Sequence, residues 1–81
     1  MARITLSSSL LAFTDGVLKL ELEVANVRQL FQALGERYPE LRAQLEASFA
    51  VAIDGEIYQD DLLQPIERDS EVILIPKIAG G

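Results

Sequence analysis

The 81-residue sequence predicts an α+β fold, a mixed sheet of four or five strands with one main helix packed on one face. Three observations predict it. Residues 17–24 alternate between apolar and charged side chains, the period of a half-buried strand. Residues 27–38 carry apolar side chains at helical spacing. Between them stands Asn26, followed three residues later by Gln29, the pattern that opens a helix. The length allows one small domain. The 49% apolar content is enough to give that domain a core.

The elements follow in order. Ile4 to Leu10 is expected as a strand, with Ile4, Leu6 and Leu10 on one parity and Arg3, Thr5, Ser7 and Ser9 on the other. Leu11 to Gly16 is expected as a loop, closed by the hairpin dipeptide Asp15-Gly16. Val17 to Val24 is the second strand. Leu18, Leu20, Leu22 and Val24 face the core, and Lys19, Glu21 and Glu23 face water. The helix presents Val27, Leu30, Phe31, Leu34 and Tyr38 as one stripe. Gly35 weakens it near its end, and Pro39 stops it at or before Tyr38.

Glu40 to Glu46, with Leu41 and Leu45 four apart, predicts a short helical turn. Phe49, Val51 and Ile53 alternate into a third strand, and Asp54-Gly55 turns it into a short return strand, Glu56 to Tyr58. Asp60 to Gln64 is expected as one helical turn, and Glu67 to Ser70 as a polar turn. Val72 to Pro76 is apolar on both parities, so it belongs in the middle of the sheet beside the first strand. Strand, strand, helix, strand, short strand, strand is the β-grasp order. It gives a domain over residues 1–76 and a flexible tail over 77–81 that ends in Gly80-Gly81.

Composition excludes several chemistries. The chain has no cysteine and no histidine, so thiolate and imidazole zinc sites, cysteine nucleophiles, histidine-based triads and disulfides are all excluded. The acidic cluster Asp54, Glu56, Asp60 and Asp61 lacks the spacing of a calcium loop and is expected as solvated surface. No Gly-rich phosphate loop is present. A net charge of −6 argues against nucleic acid and suits a partner with a basic docking surface. No stretch has the length or apolarity of a targeting or membrane segment, so the expected location is cytoplasmic.

The most informative feature is the ending Lys77-Ile78-Ala79-Gly80-Gly81. A five-residue tail reaches at most about 17 Å from the domain. Two residues without side chains can thread a channel that any Cβ would block. A terminal carboxylate would then be delivered into the active site of another protein.

The strand order, the length and the ending Ile73-Leu74-Ile75-Pro76-Lys77-Ile78-Ala79-Gly80-Gly81 resemble the ubiquitin-like sulfur carriers of the MoaD/ThiS family. That family includes the small subunit of molybdopterin synthase and the carriers for thiamine, cysteine and thiolated-tRNA synthesis. The specific part of the resemblance runs from Asp54-Gly55 through Asp69-Ser70-Glu71-Val72 to the terminal glycines. The first strand lacks the aromatic residues common in molybdopterin synthase small subunits.

The resemblance implies a protein cosubstrate rather than an enzyme. It binds no cofactor itself, while an adenylyltransferase of the ubiquitin-activating type uses ATP and Mg to adenylate the Gly81 carboxylate. A sulfur donor enzyme then converts the adenylate to a thiocarboxylate. An acceptor enzyme, such as a molybdopterin synthase large subunit, takes the sulfur. Gly81 and Gly80 are the reacting end.

In the family register Val72 and Leu74 face the helix, and Ile73 and Ile75 face outward. The outward residues are either covered by the chain itself or form a docking patch with Lys77, Ile78 and Ala79. Leu11, Ala12 and Phe13 either fold back on the core or extend that patch. Three functions stay open: a sulfur carrier, a ubiquitin-like modifier joined through Gly81 to target lysines, and a β-grasp interaction subunit with incidental glycines.

Overall fold

The computed structural model describes residues 1–59 and 61–77. A five-stranded mixed sheet is built from β1 (Ala2–Thr5), β2 (Lys19–Leu22), β3 (Phe49–Ile53), β4 (Glu56–Tyr58) and β5 (Glu71–Pro76). The strand order is β2-β1-β5-β3-β4. β5 is central, parallel to β1 and antiparallel to β3, while β2 and β4 form the edges. This is the β-grasp arrangement with all five strands. Its doubly apolar last strand lies where the sequence predicts.

Two helices cover one face, α1 (Val27–Arg37) and α2 (Arg42–Ser48), joined through a 3₁₀ turn at Pro39–Leu41. The core joins Val27, Leu30, Phe31 and Leu34 of α1 to Ile4, Val51, Val72 and Leu74 of the sheet, with Leu41 and Leu45 closing one end. The apolar stripe of α1 is thus the cover that the sheet needs. Gly35 is buried, and the absence of a side chain lets Arg42 cross the helix and donate from Nη2 to the Gly35 carbonyl at 3.4 Å.

The start of α1 is specified locally. The Asn26 carboxamide oxygen accepts from the Gln29 amide at 2.9 Å, and the Gln29 side chain accepts in return from the Ala25 amide at 2.8 Å. The next donors are met by the loop that precedes β5: Val27 and Arg28 donate to the carbonyls of Gln64 and Leu62. Replacing Asn26 with Ala is expected to cost about 1 kcal/mol, because one helix-end donor loses its acceptor. In a domain of this size that lowers Tm by roughly 4–8 °C, measurable by circular dichroism.

Several element boundaries differ from the sequence expectation. The first strand ends at Thr5 rather than Leu10, because the Ser7 hydroxyl accepts from the Ser9 amide and caps a 3₁₀ helix over Ser8–Phe13. That helix replaces the expected loop at Leu11, and it turns Leu10 into the core. Leu11 and Phe13 are half-buried, with Phe13 packed against the core.

β2 is shorter than the alternation of residues 17–24 implies. It is an edge strand, and Leu18 beyond its start is 39% exposed. The turn predicted at Glu40 to Glu46 is longer, extending to Ser48. The expected helical turn at Asp60 to Gln64 is a plain turn instead, since its carbonyls serve the α1 amides; Asp60 lies outside the described residues.

Both predicted Asp-Gly turns form. Asp15 and Gly16, and Asp54 and Gly55, all have positive φ. Asp54-Gly55 is a two-residue hairpin turn, with Ile53 paired to Glu56 across it, whereas Asp15-Gly16 follows the 3₁₀ helix as a tight turn closed by the Val17 amide donating to the Thr14 carbonyl. Asp54 also ties the β3–β4 turn to β5. Its amide donates to the Glu71 carbonyl, and its carboxylate accepts from the Glu71 amide at 3.0 Å. The Glu71 amide, then the Ser70 hydroxyl, hold this carboxyl below its ordinary value of 3.8. A lowered folded-state pKa adds stability above the unfolded value, and the gain is lost as pH falls through the folded value. Asp54→Asn is therefore expected to flatten the acid loss of Tm below about pH 4, measured by thermal melts across pH 2–6.

Candidate functional site

The alternation of β5 divides its apolar residues between the two faces. Val72 and Leu74 lie under the helices at 0% and 1% exposure. Ile73 points to the open face and is 43% exposed; Ile75 shares that face and is half-buried. The strand register extends the row. Ile73 pairs with Ala52 on β3, Ala52 pairs with Ile57 on β4, and Ile75 pairs with Ala50. Ile57 is 55% exposed.

The open face therefore carries a continuous apolar strip, with Ile57, Ala52 and Ile73 in one row and Ile75 beside them. Charge bounds it. On the far side of β5, Thr5 pairs with Ile73 and with Lys19. The Arg3 guanidinium lies 3.3 Å from the Glu71 carboxylate. Both partners are well exposed, so this pair adds at most about 1 kcal/mol and serves mainly as a polar edge. An exposed apolar centre with a charged rim is the usual build of a docking surface.

Ile57 was not legible as a site residue on its own. Its parity opposite Ala52 is the signal that reveals it, once β4 is paired with β3.

Lys77 follows β5 at once and turns toward its own chain. Its amide donates to the Ser48 carbonyl at 2.9 Å, and its ammonium donates to the Glu46 carbonyl. Both carbonyls belong to the C-terminal turn of α2, where a cation is favoured by the helix dipole. The root of the tail is thereby placed against α2, at the end of the sheet that displays Ile75. Ile78, Ala79, Gly80 and Gly81 lie outside the described residues.

Among the described residues, no group of three or more potential metal ligands comes together. Nor is any helix among them long and apolar enough to cross a membrane.

The ThiS family matches residues 7–81 of this sequence. The chain belongs to the ThiS family. Solved structures agree in fold. A chain of the Amycolatopsis orientalis BexX/CysO complex superposes with a TM-score of 0.83 at 18% identity, over 100% of both chains. Mycobacterium tuberculosis CysO gives 0.83 at 12% identity, over 96% of this chain and 100% of its own. Small archaeal modifier protein 1 from Methanosarcina acetivorans gives 0.80 at 19% identity, over 99% and 95%. No curated protein matches this chain in sequence.

The ThiS-family chain thus has the ubiquitin-like fold that sulfur carriers and protein modifiers share. The resemblance seen in the sequence holds at the level of family and fold.

Proposed function

We propose that this protein is a sulfur carrier activated at Gly81. The ThiS-family match over residues 7–81 carries the reading. It is supported by a β-grasp whose central strand runs directly to the tail. A partner adenylyltransferase, using ATP and Mg, lets the Gly81 carboxylate attack the α-phosphate and release pyrophosphate. The acyl-adenylate makes a poor electrophile reactive. Sulfide-level sulfur from the donor attacks the acyl carbon, AMP leaves with the bonding pair, and a thiocarboxylate remains, a soft nucleophile that an acceptor enzyme consumes. The reacting groups of this chain are Gly81 and its neighbour Gly80. The catalytic groups belong to the partners, so the chain acts as a cosubstrate in the cytoplasm.

The strip at Ile57, Ile73 and Ile75 is the surface that the activating and accepting partners share, and Ile78 and Ala79 extend it along the tail. Molybdopterin, thiamine, cysteine and tRNA thiolation are the pathways open to it.

The modifier reading uses the same adenylate and differs in the nucleophile, a lysine amine instead of sulfur. The shared fold with a small archaeal modifier protein keeps it as the second reading. Incubation of the chain with its adenylyltransferase and ATP tests the common step. Pyrophosphate release that depends on the chain is expected, and no release would contradict both readings.

A further inference from the structure

On the helix face, opposite the isoleucine strip, lies a cavity of about 270 Å³. Its floor is Val27, Phe31, Phe49 and Val51, all at least nine-tenths buried. Its rim is Glu46, Asp61 and Lys77, with Tyr58 and Leu62 between. We propose that this pocket receives an apolar side chain, flanked by lysine or arginine, from the same partner that takes the tail.

The floor selects the apolar anchor, because contact with it removes apolar surface on both sides from water. The rim selects the charge. Asp61 is exposed, and the Tyr58 hydroxyl donates at 2.7 Å to the Glu56 carboxylate, which adds a further anion beside the mouth. The Lys77 ammonium is directed to the Glu46 carbonyl at the α2 terminus. A second copy of this chain, with a net charge of −6, brings like charge to that rim, whereas a basic segment is complementary to it.

Position identifies the partner. Lys77 lines the pocket, and the tail continues from it. The four residues that follow span at most about 14 Å. A protein that encloses Gly81 therefore comes up against the pocket mouth. The strip and the pocket lie on opposite faces of the sheet beside the tail root, so one partner can grip the end of β5 from both sides. This inference rests on the reading of Gly81 as the activated group.

The test is steady-state adenylation of the full chain by its adenylyltransferase, with KM and kcat separated. Asp61→Lys alters an exposed rim residue, and Leu62→Ser alters a half-buried one. Deletion of Gly81 is the control, and circular dichroism reports folding. Asp61→Lys is expected to raise KM tenfold or more with kcat unchanged, and to flatten the rise of KM with salt. Leu62→Ser is expected to raise KM by a similar factor.

If the folded Asp61→Lys variant keeps KM within twofold while Gly81 deletion abolishes adenylation, the pocket inference is overturned and the activation reading stands. A lower KM in both variants would overturn it in favour of the chain's own tail as occupant. A dimer that Leu62→Ser dissociates would overturn it in favour of a second copy. If deletion of Gly81 leaves adenylation intact, the activation reading fails, and the partner assigned to the pocket fails with it.

Discussion

Deletion of Gly81, or addition of one residue after it, is expected to abolish adenylation while leaving Tm unchanged. The reason is a separation of roles along the last strand. The described core includes Val72 and Leu74 of β5 and no residue beyond them. Folding is therefore expected not to need the terminal glycines. Activation, by contrast, depends on placing one carboxylate at the α-phosphate of ATP, and an error of a single residue moves it by about 3.3–3.6 Å. A shift of that size removes the near-attack geometry on which the step relies. Pyrophosphate release and a thermal melt on the same sample check both halves. Full activity after deletion would remove Gly81 from the chemistry.

The second large effect is a contrast between adjacent residues of β5. Leu74→Ala empties a site that is 1% exposed and is expected to cost about 2–5 kcal/mol. That lowers Tm by roughly 10–30 °C in a domain of this size. Ile73→Asp acts on the opposite face, where the side chain is 43% exposed. It is expected to cost about 1 kcal/mol or less in stability, mainly through β propensity. It should nevertheless weaken docking to the adenylyltransferase more than tenfold, since it places a charge at the centre of an apolar surface. Melts and titration calorimetry measure the two effects. An unfolded Ile73→Asp beside a native-like Leu74→Ala would reverse the assignment of faces.

Strand parity, a local rule, puts Val72 and Leu74 on one face and Ile73 and Ile75 on the other. Both pairs are apolar, so which of them is covered follows from the family register and not from parity. The start of α1 was legible locally, as Asn26 and Gln29 exchange hydrogen bonds with their immediate neighbours. Strand ends were less so. Ser7 redirects the chain into a 3₁₀ helix, which keeps Leu10 buried without extending β1, and a period-two pattern does not register that change.

The pocket was not legible at all. Its walls come from residues between Val27 and Lys77, brought together only by the tertiary fold. Its rim depends on the loop after β4, whose Leu62 and Gln64 carbonyls accept from the Arg28 and Val27 amides of α1, a long-range match that local pattern does not register. The sequence has no cysteine and no histidine. The fold supplies instead a surface and an exit point for a tail, with the chemistry left to partner enzymes in the proposed reading.

The most direct test of the central claim is the intact mass of the chain after incubation with its adenylyltransferase, ATP and a sulfur donor. The sulfur-carrier account predicts a gain equal to the mass difference between one sulfur and one oxygen atom, located at Gly81 by fragmentation. An unchanged mass, accompanied by covalent attachment of the chain to lysines of other proteins, would contradict it and establish the modifier in its place.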